Sequence, residues 1–427
     1  MSDRLIIKGG KALHGEVAAS GAKNAAVAIL PAALLCPEPS TIDNLPDILD
    51  VRILRDILRL MGADVTYGNN TMHIDPSQIT SHQAKFDLLR HMRASYYLLG
   101  ALLGRFGEAE ITLPGGCEIG QRPIDQHLKG MEALGAKVTM RGGIVHAVAP
   151  EGGLVGNEVY LDMVSVGATA NIMMASVRAK GTTSIFNAAR EPHIVDLANF
   201  LNTMGANIRG AGTDVIRVYG VEQLHGCNYT IIPDQIETGT LMIAAAATRG
   251  DVVITNVIPF HMESVSAKLM EMGVSITEYE DAIRVKADGR LRKVSVRTMP
   301  YPGFPTDLQQ PLSALLATAN GTSVIIENIF EDRYKHLNQL ALMGAKTSVN
   351  GDVALIEGVE QLWGSDVTAT DLRAGAALVI AGLMAQGTTY VRELRHIDRG
   401  YDHLEDKLIS LGADISRVAF DDEDEVL

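Results

Sequence analysis

Between residues 165 and 219 the hydrophobic rhythm of the chain changes several times, and each change predicts an element. "SVGATANIMMASVRAKG" (165–181) is small or apolar on nearly every side, the pattern of a helix buried all round. "TTSIFNA" (182–188) is short and β-prone. "HIVDLANFLNTMG" (193–205) places Ile194, Leu197, Ala198 and Leu201 at the spacing of an amphipathic helix, and Gly205 suits its C′ position. "ANI" and "DVIRVYG" then alternate as two short strands. Together they form a βαβαββ-like unit.

The same phrase ends the amphipathic helix in six places: "MGADV", "LGAKV", "MGANI", "MGVSI", "MGAKT" and "LGADI", with glycines at 62, 135, 205, 273, 344 and 412. Intervals of about 70 residues mark tandem copies of one structural unit. The predicted fold class is α/β: mixed sheets packed on helices, six units divided three plus three. A division near 218–230 follows the third unit. The strand "RLIIKGG" (4–10) precedes the first unit without a partner and is expected to pair with the last. The expected domains are therefore 20–230, then 1–19 with 231–419, and an acidic tail at 420–427. A continuous solenoid is the competing arrangement, although the period is long for known arrays.

With 427 residues the chain exceeds one ordinary core, which agrees with two domains. A formal net charge of -14 argues against a nucleic-acid surface. The most apolar stretches, such as 376–385, reach about half of the roughly 20 residues a membrane span needs. The first residues lack the pattern of a secretory signal. A soluble, cytoplasmic protein is expected. Three cysteines (36, 117, 227) are too few for a disulfide framework, and the histidines lack metal-ligand spacing, so no metal and no cofactor is assigned.

Aligning the units on their glycines exposes a second regularity. Arg122, Arg190, Arg333 and Arg399 stand about a dozen residues before the glycine, where the amphipathic helix begins. Lys23, Arg93 and Arg373 stand at the start of the small-residue helix. Cations at helix N-termini add to the local dipole and bind phosphate and carboxylate. The competing reading pairs each with a nearby acid, as "FEDRYKH" and "HIDRGYD" allow. Cys117, in "LPGGCEIGQRP", lies among glycines that let backbone approach a ligand.

These residues, with "SGAKNAA" (20–26), "MRAS" (92–95), "SVGAT" (165–169), "FPTDLQ" (304–309) and "TDLRAGAALVIAGL" (370–383), closely resemble the UDP-N-acetylglucosamine 1-carboxyvinyltransferase family over nearly the whole chain. The resemblance implies a two-domain inside-out α/β barrel. It implies transfer of the enolpyruvyl group of phosphoenolpyruvate to the 3′-hydroxyl of UDP-N-acetylglucosamine, in the first committed step of peptidoglycan synthesis, with no obligate protein partner. Position by position, it assigns Lys23, Asn24, Arg122 and Arg399 to the phosphate side of phosphoenolpyruvate, and Arg333 with Arg373 to its carboxylate. Asn24, Arg93, Arg122, Pro123, Ile124, Asp125, Gln126, His127, Ser165, Val166, Gly167, Asp307 and the backbone around Ile329 fall to the nucleotide sugar. Cys117 matches the family's catalytic cysteine, within reach of alkylation by an epoxide phosphonate such as fosfomycin. Lys23, Arg399 and Asp307 join it in catalysis.

Met163 stands where some members carry a lysine that helps hold the nucleotide, a departure from the family pattern at one expected contact to the diphosphate. Asp307 also reads as a helix N-cap, since Asp favours that position. Two rivals remain: the shikimate 3-phosphate enolpyruvyl transferase, which lacks the loop cysteine, and a noncatalytic paralogue, which has no need of a reactive thiol.

Overall fold

The computed structural model describes residues 2–85, 87–113 and 124–420. Cys117, Arg122 and Pro123 therefore lie outside the described residues. The chain forms two compact units that change over between Ser20 and Gly21 and again between Ile232 and Pro233.

The unit between these changeovers holds three four-stranded sheets. In the third of them, Glu158–Tyr160 runs parallel to Thr182–Phe186, which pairs antiparallel with Val215–Tyr219, itself flanked by Asn207–Arg209. The three small-residue helices of this unit are Lys23–Ala32, Tyr97–Phe106 and Val166–Ser176. In Val166–Ser176 every residue from Gly167 onward is buried, as its lack of a polar face demands. Small residues let these helices touch: a Cβ on Gly100 would come within 2.5 Å of the Asn171 carbonyl oxygen. Helices occupy the centre and sheets the outside, an inside-out arrangement.

The other unit repeats this plan around Gln235–Ala247, Thr306–Leu316 and Leu372–Met384. Its sheets are completed from the start of the chain. Ser2–Lys8 lies between Thr388–Arg392 and Asp414–Phe420, antiparallel to both, the pairing expected of the orphan strand. A second N-terminal strand, His14–Ala18, was not anticipated; it runs parallel to Asp251–Thr255 and supplies the first strand of the fourth repeat. Asn228–Thr230 does the same for the first repeat by pairing with Ser40–Asp43. These two strands are too short, and too far in sequence from their partners, for periodicity to place them.

All six repeated glycines are left-handed, with φ between 90° and 102°, where a Cβ is unfavourable. The amphipathic helices therefore stop at the same point of each repeat, which fixes where the next strand starts.

Ile7 is fully buried in an inner strand of its four-stranded sheet, whereas Ile6 is half-buried on the other face. Ile7→Ala should cost about 3 kcal/mol in a denaturant titration, and Ile6→Ala clearly less. Equal losses would contradict the register.

Candidate active site

In the unit of residues 2–20 and 233–420, three charges meet. Asp307 is the second residue of helix Thr306–Leu316, and Pro305 rather than Asp307 occupies the N-cap. The N-cap reading is thus corrected: the carboxylate turns away from the helix N–H groups toward two arginines. Arg333 donates from Nη2 to Oδ1 at 2.7 Å, and Arg373 donates to Oδ2 from Nη2 at 2.9 Å and Nε at 3.2 Å. Both guanidinium side chains are 3% exposed, while the carboxylate between them is 26% exposed. Burial acts to raise the carboxyl pKa, but the Arg373 and Arg333 guanidiniums overcome it and hold the group far below the usual carboxylate range.

Each arginine is fixed from behind. Arg373 follows Asp371, whose Oδ1 caps helix Leu372–Met384 by accepting from the backbone N–H of Arg373 and Ala374. Its guanidinium lies 5.2 Å from the Tyr401 ring, and Tyr401 shares a 2.9 Å hydrogen bond with Thr240. Arg333 lies 5.0 Å from the Phe330 ring and donates to the Thr306 hydroxyl at 2.7 Å. The Nε of Arg333 has no hydrogen-bond partner among the described residues. The trio sums to one positive charge, and the two guanidiniums already hold one carboxylate, that of Asp307. The acids next to Arg333 in sequence are not its partners. Asp398, next to Arg399, pairs with Arg417. Ile329 lies in the turn after strand Thr322–Ile326, and its N–H donates to Glu327 at 2.8 Å.

In the unit of residues 21–232, Lys23 opens helix Lys23–Ala32, whose N-cap has no side-chain hydrogen bond. Its ammonium lies 3.0 Å from Asp50, a buried acid in the first turn of Leu49–Leu60. Asn24 is half-buried beside it. Arg93 begins the turn Arg93–Tyr96. Ile124 is the N-cap position of helix Asp125–Ala133. Gln126 donates to Asp125 at 2.9 Å and to Asp162 at 3.1 Å, and accepts from the Asp162 N–H. That ties 124–127 to the segment leading into Ser165, which caps helix Val166–Ser176 by accepting from Ala168 N–H at 3.3 Å. Gly167 lets His127 pack close: a Cβ there would sit 2.6 Å from His127 Nε2, and the imidazole would have to shift. The structure thus brings together 124–127 and 165–167, which the sequence left apart. Met163 is 60% exposed.

His127 is buried, meets the Tyr96 ring edge-on, and finds no hydrogen-bond partner for either ring nitrogen among the described residues. Sequence reasoning missed Asp50, Thr306, Glu327, Phe330, Asp371 and Tyr401. Only Asp371 carried a local signal, an Asp directly before a small-residue helix.

Burial pushes the His127 pKa down to about 4, against the weaker opposite pull of Asp125. The unfolded chain takes up this proton near 6.5, so the folded state loses stability as pH falls from about 6.5 toward 4. An NMR titration of the His127 imidazole should show it neutral at pH 7, with a midpoint near 4. A midpoint near 6.5 would contradict a buried imidazole.

A family model described as EPSP synthase (3-phosphoshikimate 1-carboxyvinyltransferase) matches residues 7–408. Among curated relatives, UDP-N-acetylglucosamine 1-carboxyvinyltransferase 3 of Caldanaerobacter subterraneus subsp. tengcongensis is 57% identical over 97% of this chain and 99% of its own length. The UDP-N-acetylglucosamine 1-carboxyvinyltransferase of Clostridium botulinum is 54% identical over 97% of this chain and all of its own. Among solved structures, the enolpyruvyl transferase NikO from Streptomyces tendae superposes with a TM-score of 0.89 at 29% identity, covering 98% of this chain and 100% of that one. An EPSP synthase from Acinetobacter baumannii reaches 0.78 at 20% identity with the same coverage, a likeness of fold alone.

Proposed function

We infer the roles of individual residues from the premise that this chain belongs to the EPSP synthase family of enolpyruvyl transferases, and within it to the UDP-N-acetylglucosamine 1-carboxyvinyltransferases. It transfers the enolpyruvyl group of phosphoenolpyruvate to the 3′-hydroxyl of UDP-N-acetylglucosamine, releasing phosphate, in peptidoglycan synthesis. No described helix is long and apolar enough to cross a membrane, and a cytoplasmic location is part of the proposal.

The observation that carries the assignment of residues is the carboxylate of Asp307 held between Arg333 and Arg373. Two buried guanidiniums that already bind one carboxylate have the chemistry to bind another, that of phosphoenolpyruvate. Its arrival loosens Asp307, whose released oxygen accepts a hydrogen bond from the sugar 3′-hydroxyl. With a strongly depressed pKa, Asp307 is a weak base, and its main work is to orient that hydroxyl. Lys23, Arg122 and Arg399 take the phosphate, with Asn24 beside Lys23. Arg93, Arg122, Pro123, Ile124 to His127, Ser165 to Gly167 and the Ile329 backbone hold the nucleotide sugar. His127, uncharged at neutral pH, does so without adding charge.

The chemistry is addition followed by elimination. The hydroxyl oxygen attacks C2 of the enol and passes its proton to the Asp307 carboxylate, while the methylene carbon accepts a proton from the Cys117 thiol. The resulting tetrahedral ketal then loses phosphate, and one proton of its new methyl group returns to the Cys117 thiolate, restoring the double bond. Cys117 is the proton donor, a residue type whose free thiol has a pKa of about 8.5 and is acidified wherever cations stand beside it. It can also add to the substrate as a thiolate.

Phosphate release should require UDP-N-acetylglucosamine as acceptor, with shikimate 3-phosphate giving none, and Cys117→Ala should abolish it. Release with shikimate 3-phosphate would overturn the acceptor, and full activity in Cys117→Ala would overturn the proton donor.

A further inference from the structure

Glu327 directly follows strand Thr322–Ile326, and nothing in "IIENIFEDR" distinguishes it from the acids after it. In the fold it is 3% exposed, yet no described cation lies within salt-bridge distance of it. Its charge is met by four neutral donors. Oε1 accepts from the Thr298 hydroxyl at 2.9 Å, from Ile329 N–H at 2.8 Å and from Phe330 N–H at 3.2 Å. Oε2 accepts from the Thr306 hydroxyl at 2.8 Å.

A buried carboxylate is costly, and capping a turn needs only an amide oxygen. What the charge adds is direction. A carboxylate only accepts, so the Thr306 hydroxyl must donate to it, which leaves the Thr306 oxygen as an obligatory acceptor for Arg333 Nη1 at 2.7 Å. Bonds in such a chain polarise one another. The other oxygen of Glu327 holds the turn that carries Phe330, on whose ring Arg333 lies. One carboxylate therefore sets both the edge and the face of the guanidinium.

We propose that Glu327, acting through Thr306, is a positioning residue that fixes Arg333 for the carboxylate of phosphoenolpyruvate. This rests on the assignment of Arg333 given above. Glutamine at 327 still accepts from the turn N–H groups but offers Thr306 a donor, so the hydroxyl loses its direction while the turn stays. Valine at 306 removes the hydroxyl and leaves the turn untouched.

Steady-state kinetics of Glu327→Gln, Thr306→Val and the double variant test this. Each single change should raise the KM for phosphoenolpyruvate about tenfold, the loss of roughly one charge-assisted hydrogen bond, with the KM for UDP-N-acetylglucosamine within about twofold of the parent. The double variant should be no worse than the worse single one, and Thr306→Ser should restore the parent value. Effects that multiply in the double variant, equal rises in both KM values, or no change in either single variant would overturn the proposal. Arg333→Lys separates it from its premise: an unchanged KM for phosphoenolpyruvate there would reject the role of Arg333 itself, whatever position 327 does.

Discussion

A single carboxylate holding two buried guanidiniums organises the chemistry of the second unit. Arg333 and Arg373 come from different repeats, and neither could be buried beside the other without an anion between them. Asp307 supplies that anion from a third element, the first turn of a central helix. The arrangement holds both arginines in place, and the partly exposed carboxylate is the face of the trio that an incoming anion would meet under the proposed function. The desolvation that makes an unpaired arginine so costly is also what makes the pair bind carboxylates strongly.

The repeat explains why such a site is available at all. Each unit ends its amphipathic helix at a left-handed glycine and buries a helix of small residues at the centre. Cations at matched positions of different repeats therefore start from equivalent places in the fold. Arg373 is the second residue of its central helix, and Lys23 the first of the corresponding one. Around Arg373 and Arg333 other side chains act as supports: Asp371 caps the helix that carries Arg373, Tyr401 lies against its guanidinium, and Thr306 engages Arg333.

Much of this could be read from the sequence because it repeats. The C′ role of Gly205, the all-round burial of 166–176 and the fate of the first strand follow from period, composition and the count of partners. Partners could not be read. Arg333 has two acids just before it in sequence but is held by Asp307, because its buried side chain points back toward the central helix that opens its own repeat. Strands His14–Ala18 and Asn228–Thr230 were missed because each completes a repeat begun far away in the chain. Glu327 was invisible for a different reason: its importance lies in four hydrogen bonds that only the fold assembles. The family resemblance singled out Asp307, whereas local reasoning alone favoured a helix cap.

The most direct measurement of the central claim is the thermal stability of Asp307→Ala with and without added acetate. Removing the shared carboxylate leaves two buried guanidiniums uncompensated, so the melting temperature should fall, in line with a loss of about 3 kcal/mol, and acetate should restore it saturably while barely affecting the parent. A variant as stable as the parent, or an acetate effect equal in both proteins, would contradict a carboxylate cradle formed by Arg333 and Arg373.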